Sequence, residues 1–326
     1  KFMKKNIWIL LDNRIGSRHQ AEGIADCLDK TRFTITEKTL EYNRWAALPN
    51  FIRGTTLLGL VSESKNTISA PYPDIVLSPT RRTAPIARYI KKKHPETKLV
   101  QLGHIGRTGI KDFTFIFAPE HDKNKFNAPN IHYTVGCPHF VTREKLDSAY
   151  QKWHDKFSTL PHPVTAVIIG GAIKKHPFSL ENAEQLALAV KSLKKKEGGS
   201  LLITTSRRTG TAAEEKIMST LNAFPHYAYL WGTKDENPYL GFLACADNIV
   251  VTGDSVSMCS EATATGKTLR IFTGSDWLTP KHLRFVQSLC SKGYAADIAN
   301  EDYTRQQPPN TPLNTAQEIA AVIATL

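Results

Sequence analysis

Along most of this chain, short apolar runs alternate with segments whose apolar residues recur every three or four positions. NIWILL (6–11) precedes a helical pattern over 17–28, and PDIVLS (73–78) precedes another over 83–93. Strand-length runs follow at 98–102, 113–118 and 130–135, then a polar helical stretch over 141–160 that LPHP interrupts. The cycle restarts with VTAVIIGG (164–171). Leu180, Ala183, Leu186, Ala187, Val190 and Leu193 mark one helix face, with Ser179 as its N-cap. Strands are expected at 200–206, 226–231, 248–252 and 268–272, with helices near 238–246 and 255–265. Thr211-x-x-Glu214 reads as a capping box opening a further helix. Such alternation predicts parallel sheets joined by right-handed crossovers. Two successions of similar size predict an α/β chain of two doubly wound domains, 1–160 and 161–326, with the last helix a candidate to cross back.

The irregular piece is 42–70, where Trp45, Leu48, Phe51, Ile52, Leu57, Leu58, Leu60 and Val61 lie among Arg44, Arg53 and polar residues. The favoured expectation is an inserted helix packed on the core. The alternative is an amphipathic segment at a membrane interface with its arginines on anionic headgroups. Pro49 and Gly54 argue against one unbroken helix.

Charge changes the picture when the chain is halved. Residues 1–160 hold 26 Lys+Arg against 15 Asp+Glu, a net +11, whereas 161–326 hold 16 against 15. An anionic partner is therefore expected for the first half: a phosphorylated substrate or a membrane surface. Nucleic acid is disfavoured, because no helix-turn-helix, zinc-finger or RNA-binding motif is present. Five scattered cysteines without a C-x-x-C fit a reducing cytoplasm and argue against zinc or a disulfide framework. No apolar run approaches the ~20 residues that span a bilayer, and Ile7–Leu11 is too short for a signal-peptide core.

Candidate chemistry falls at strand ends, where open parallel sheets gather their ligands. Gly170 and Gly171 end one strand, and glycine lets a phosphate approach the backbone, although a tight turn is the more ordinary explanation of the pair. TTSRRTG (204–210) brings Ser206, Arg207 and Arg208 to the next strand end, and arginine suits bidentate phosphate contacts. GDSVS (253–257) places Asp254, Ser255, Val256 and Ser257 at a helix start, whose unpaired N–H groups favour anions. Glu261 lies two turns on, where a carboxylate accepts both hydroxyls of a ribose; the plain alternative is an N-cap and a surface charge. In the first half, Arg14, Gly16, Ser17 and Gln20 at one turn, and Arg81 and Arg82 at another, are candidate acceptor contacts. Asp12, His19 and His121 are candidate general bases, and loop hydrogen bonding is the ordinary alternative for the histidines. No Asp-x-Asp pair suits Mg²⁺, so no metal is expected.

GDSVSMCSEATATGK, TTSRRTG, ENPYLGFLACAD, IIGGAIKKHPFS and APEHD resemble the mitochondrial-fission, elongated-mitochondria-type family, in matching order from Asp12 to about Leu289. The block from Asn237 to Gly266 is the most distinctive. Where that family suggests a Pro-Arg pair, this chain has LGHIGR with His104 and Arg107. The family is similar in turn to GT-B glycosyltransferases and UDP-GlcNAc 2-epimerases, which implies two Rossmann-like domains facing a cleft.

The resemblance implies that Glu261 holds the ribose, that the Ser255 turn holds the diphosphate, and that Gly170, Gly171 and Asn237 line the same nucleotide site. It implies transfer of a sugar from a nucleotide sugar, UDP-linked and a substrate rather than a cofactor, to a phosphorylated or membrane-borne acceptor. The expected setting is the cytoplasm or the inner face of the bacterial inner membrane. Two alternatives stand beside it: an adaptor without enzymatic activity that recruits a dynamin-like protein, and an epimerase acting on the nucleotide sugar alone.

Overall fold

A computed structural model describes residues 4–123, 127–304 and 313–326. The chain divides into two units, Lys1–Phe140 with Asn314–Leu326, and Val141–Leu313.

In the first unit, β1 (Lys5–Leu11), β2 (Phe33–Thr39), β3 (Ile75–Ser78), β4 (Lys98–Leu102), β5 (Phe115–Pro119) and β6 (Ile131–Thr134) form a parallel sheet ordered β2-β1-β3-β4-β5-β6. Alternate side chains of β1 point to opposite faces. Ile7, Ile9 and Leu11 meet Ile24 together with Ile319 and Ile323 of the last helix, whereas Trp8 and Leu10 meet Leu40, Leu60, Ile86 and Ile90. Both faces are covered, which is why β1 and β3 read as continuous apolar runs. The helices before the unit boundary are α1 (Ile15–Cys27), α2 (Asn50–Arg53), α3 (Ser62–Asn66) and α4 (Ala84–Lys93). β2 was not expected. It is the sheet edge, FTITEKT buries only Phe33 fully, and its apolar signal is correspondingly thin.

The second unit contains α5 (Arg143–Phe157), β7 (Val164–Ile168), α6 (Leu180–Glu197), β8 (Ser200–Thr204), α7 (Thr211–Leu221), β9 (His226–Tyr229), α8 (Tyr239–Cys245), β10 (Asn248–Thr252), α9 (Val256–Thr263), β11 (Thr268–Phe272), α10 (Pro280–Ser291) and β12 (Ala296–Asp297). Its sheet is parallel, ordered β12-β11-β10-β7-β8-β9. The leucines and alanines of α6 pack on β7 and β8, and Ser179 caps α6 by accepting the Asn182 N–H at 3.1 Å.

The division falls at Phe140/Val141 rather than near 160. The cause is α5, whose Phe157 ring lies 5.6 Å from that of Phe242 on α8 and 5.2 Å from that of Tyr227 on β9. Helix α11 (Thr315–Ile323) packs instead on α1 in the first unit. The capping box at Thr211 does not form. Gly210 holds the N-cap position without a side-chain cap, and the Glu214 carboxylate accepts a hydrogen bond from the Thr205 hydroxyl.

Candidate functional site

In each sheet the strand order reverses beside the first strand, and ligands of doubly wound sheets collect outside the strand C-termini at such a point. In the second unit the reversal lies between β7 and β10. The turns after β10, β7 and β8 are therefore neighbours, and they carry Gly253–Ser255, Gly170–Gly171 and Thr205–Gly210.

Asp254 joins these turns. Its Oδ2 accepts the Gly171 N–H at 2.9 Å and pairs with Arg208 Nη1 at 2.7 Å. Arg208 Nη1 also donates to the Ala172 carbonyl at 2.9 Å, and Ser206 Oγ donates to the Gly170 carbonyl at 2.8 Å. The glycines permit this closeness. A Cβ on Gly170 would sit 2.1 Å from Asp254 Oδ2, and one on Gly171 would sit 2.0 Å from the Arg208 carbonyl oxygen. The approaching group at the glycine pair is thus a protein carboxylate and a neighbouring loop. The other oxygen, Asp254 Oδ1, is buried and has no hydrogen-bond partner among the described residues. Arg207, by contrast, is exposed.

Ser255 caps α9, its Oγ accepting the Met258 N–H at 3.3 Å. Glu261 is no surface charge: it is 5% exposed. Its Oε2 accepts a hydrogen bond from the Tyr239 hydroxyl. Burial pushes the Glu261 carboxyl up to about 7, against the opposing effect of that hydrogen bond. Burial and the nearby Glu261 carboxylate also hold the Tyr239 phenol well above its ordinary range. Tyr239 lines a concavity of about 340 Å³ with Thr205, Ser206, Trp231, Asn237 and Met258. The exposed Asn237 accepts the Tyr239 N–H at 3.0 Å, which starts α8.

Sequence reasoning passed over Tyr239, Trp231 and His282. Tyr239 lies within the ENPYLGF block, so the signal was present but unassigned. His282, on the first turn of α10, lies within electrostatic reach of Asp254, and burial is the main reason its imidazole titrates below its ordinary value. Nothing at 279–282 in the sequence marks it out.

In the first unit the reversal lies between β1 and β3. Asp12, 1% exposed, directly follows β1. Its Oδ1 accepts the Arg14 N–H at 3.1 Å and the Ser17 hydroxyl at 2.6 Å, so Ser17 is engaged with the carboxylate. Its Oδ2 has no hydrogen-bond partner among the described residues, and Arg14 Nε stands 3.9 Å away. Gly16 is exposed, and Gln20 is half-buried on α1. The Tyr42 hydroxyl, also without a hydrogen-bond partner there, titrates well above its ordinary value through burial first and the Asp12 charge second. The Arg82 guanidinium lies 5.4 Å from the Tyr42 ring centroid, and Arg81 is exposed.

The three candidate bases do not form one cluster. Asp12 follows β1, and His121 follows β5, three strand spacings along the sheet, or about 14 Å. His121 is buried in a 3₁₀ turn. His19 lies on α1 with its ring 4.4 Å from that of Phe140. Among the described residues no group of three or more His, Cys, Asp or Glu is placed to hold a metal ion, and no helix is long and apolar enough to cross a membrane.

The family model described as Mitochondrial fission ELM1 matches residues 15–326. The chain belongs to the Mitochondrial fission ELM1 family. An ELM1-family chain of this kind is 32% identical to "Uncharacterized protein RP120" of Rickettsia prowazekii, over 98% of this chain and 97% of that protein. Its fold resembles two solved structures across nearly their whole lengths. Acinetobacter baumannii MurG superposes with a TM-score of 0.57 at 11% identity, covering 99% of this chain and 100% of that one. The UDP-GlcNAc 2-epimerase of Methanocaldococcus jannaschii gives 0.59 at 11% identity, covering 98% and 100%. At such identities the likeness is one of fold: this ELM1-family chain has the α/β, GT-B-like architecture of two Rossmann-like units.

Proposed function

We propose that the second unit binds a nucleoside-diphosphate sugar, with UDP the first nucleotide to test, and that the protein transfers the sugar to an anionic acceptor. The observation that carries this reading is Glu261: a buried carboxylate, hydrogen-bonded to the Tyr239 hydroxyl, beside a concavity at the ends of β7 and β8. A buried acid of that kind suits the two hydroxyls of a ribose. Trp231 and Tyr229 offer apolar faces to a base in the same concavity. The diphosphate is assigned to the α9 start and the exposed Arg207, where helix N–H groups and a guanidinium stabilise a leaving anion. Asp254 is assigned a different task from phosphate binding. A carboxylate repels phosphate, and Asp254 is committed to the Gly171 N–H and to Arg208, which holds the three turns together.

The acceptor is assigned to the first unit, where Arg14 stands beside Asp12, Arg81 and Arg82 follow the neighbouring strand β3, and the net charge is strongly positive. Asp12 is the preferred base, because its Oδ2 is buried with no hydrogen-bond partner among the described residues. A carboxylate so placed can take the proton of an acceptor hydroxyl.

A thermal-shift panel of UDP, GDP, CDP and their sugars tests the reading. A ligand at about 100 times its Kd adds about 2.7 kcal/mol to stability. The stabilisation should vanish in Glu261→Gln. Silence across the whole panel would sink the proposal. Epimerisation without an acceptor would instead show itself as a new sugar nucleotide formed in the absence of any second substrate.

One observation favours a second reading, an adaptor for a dynamin-like partner that retains the fold without catalysis. Arg208 and the Gly171 N–H, both candidates for the diphosphate, are already satisfied by Asp254. This reading predicts a silent nucleotide panel.

A further inference from the structure

The segment between β2 and β3 has its polarity inverted. In the short turn α2, the polar ends are buried, with Asn50 5% and Arg53 1% exposed. The apolar middle faces water, with Phe51 70% and Ile52 50% exposed. The buried polar groups are well used. Asn50 Nδ2 donates to the Arg81 carbonyl at 3.1 Å, and Arg53 donates to the carbonyls of Leu58 at 3.2 Å and Arg82 at 3.0 Å. The segment is thereby stitched to the turn after β3, and it holds Phe51 and Ile52 outward. Trp45 and Leu58 are also among the exposed large hydrophobics. The apolar residues that serve the fold, Ala46 and Leu60, are buried. The expected packed insertion therefore describes only part of the segment, and Arg53 is not available to a headgroup.

A solvated turn would place asparagine and arginine outward and phenylalanine inward. The opposite arrangement suits an apolar surrounding on the outer side. The charges within the segment are of one sign; at its flanks Glu41 and Glu63 are exposed, and Asp112 is paired with Arg88, which donates to the Gly54 carbonyl. The Arg44 guanidinium lies 4.9 Å from the Trp45 ring centroid, Arg81 is exposed beside Asn50, and no Asp or Glu occurs from Tyr42 to Ser62.

We propose that α2 and its flanks are a docking surface for an anionic lipid bilayer. Trp45, Phe51, Ile52 and Leu58 enter the boundary between headgroups and acyl chains, and Arg44 and Arg81 meet the lipid phosphates. A fluid anionic surface fits this patch better than a protein does. Apolar side chains on successive turns, rimmed by cations, need no shape complementarity there. The docking does not depend on nucleotide binding by the second unit.

The test is co-sedimentation of the full chain with vesicles of phosphatidylglycerol and phosphatidylcholine, at low and high salt, against pure phosphatidylcholine. The chain should bind the anionic vesicles at low salt, and Phe51→Ser with Ile52→Ser should lower the partition coefficient about tenfold or more. Arg44→Glu should weaken binding and flatten its salt dependence. Phe51→Trp with Ile52→Leu should restore it. Because Phe51 and Ile52 are exposed, thermal unfolding and nucleotide-induced stabilisation should be unchanged in the double serine variant. The proposal is overturned if the wild-type chain ignores anionic vesicles, or if the double serine variant binds as well as the wild type. It is equally overturned if the patch instead drives dimerisation, seen as a doubled mass that the double serine variant loses.

Discussion

Asp254 and Arg208 form an ion pair of 2.7 Å in which the carboxylate side chain is fully buried and the guanidinium is 37% exposed. The Gly171 N–H donates to the same carboxylate oxygen, so one group holds three turns together. Arg208→Met should destabilise the protein by about 3 kcal/mol, the lower end for a broken buried pair because the guanidinium retains contact with water. Chemical denaturation measures it. A loss below about 0.5 kcal/mol would mean that the pair contributes no more than a surface bridge.

The glycine pair gives a steric prediction. Gly171→Ala drives a Cβ into the Arg208 carbonyl, which as backbone cannot rotate away, and φ there is +155°. The expected cost is about 2 kcal/mol or more. Gly170→Ala meets the Asp254 carboxylate instead, and it should displace that side chain and weaken the Arg208 pair. If Gly171→Ala melts with the wild type, the close approach of the two loops is wrong.

Glu261 gives a pH dependence with a definite sign. Its carboxyl is raised from 4.5 to about 7 in the folded protein. The folded state therefore holds the proton more tightly than the unfolded chain. The associated stability is fully present below about pH 4.5 and is lost as pH rises through about 7, by about 3 kcal/mol in all. Glu261→Gln should remove that slope between about pH 4.5 and 7, as read by denaturation at a series of pH values. An unchanged slope would place the titration elsewhere.

Tyr239→Phe tests the partner of Glu261. The phenol hydrogen bond is the influence that lowers the Glu261 carboxyl. Its removal should move the titration of Glu261 above 7 and destabilise the protein by about 1 kcal/mol at neutral pH. Carboxyl titration followed by NMR or infrared spectroscopy reads the direction; a downward movement would contradict the arrangement.

Arg53 is buried, with burial the main reason its guanidinium titrates below its usual range. Arg53→Met should leave the carbonyls of Leu58 and Arg82 without that donor and cost about 2 kcal/mol. Hydrogen exchange should rise at 54–60 and at 81–83 together. A rise in one segment alone would show that Arg53 does not couple them.

Most of the fold was legible. The strands at 98–102, 248–252 and 268–272 were read with the bounds they have, because central parallel strands are mostly apolar and end at glycine or polar turns. β2 was not legible, since an edge strand has little to bury and FTITEKT carries little apolar signal. The capping box failed for a nonlocal reason: Thr205, nine residues earlier, takes the Glu214 carboxylate that Thr211 was expected to share. Helix α5 was placed with the wrong neighbours because its polar sequence does not say which sheet Trp153 and Phe157 cover.

By itself the sequence determined where most of the central strands end, and hence that its glycine, serine and arginine turns stand at the carboxyl edges of two parallel sheets. Those are consequences of periodicity and turn chemistry within a few residues. Tertiary structure decided which turns meet, because that depends on strand order. It set Asp12 and His121 apart, brought Asp254 to Arg208 across 46 residues of chain, and left Phe51 outside while Arg53 went in. It also decided the charge state of Glu261, because desolvation depends on everything packed around a carboxylate and on nothing in its neighbours along the chain alone.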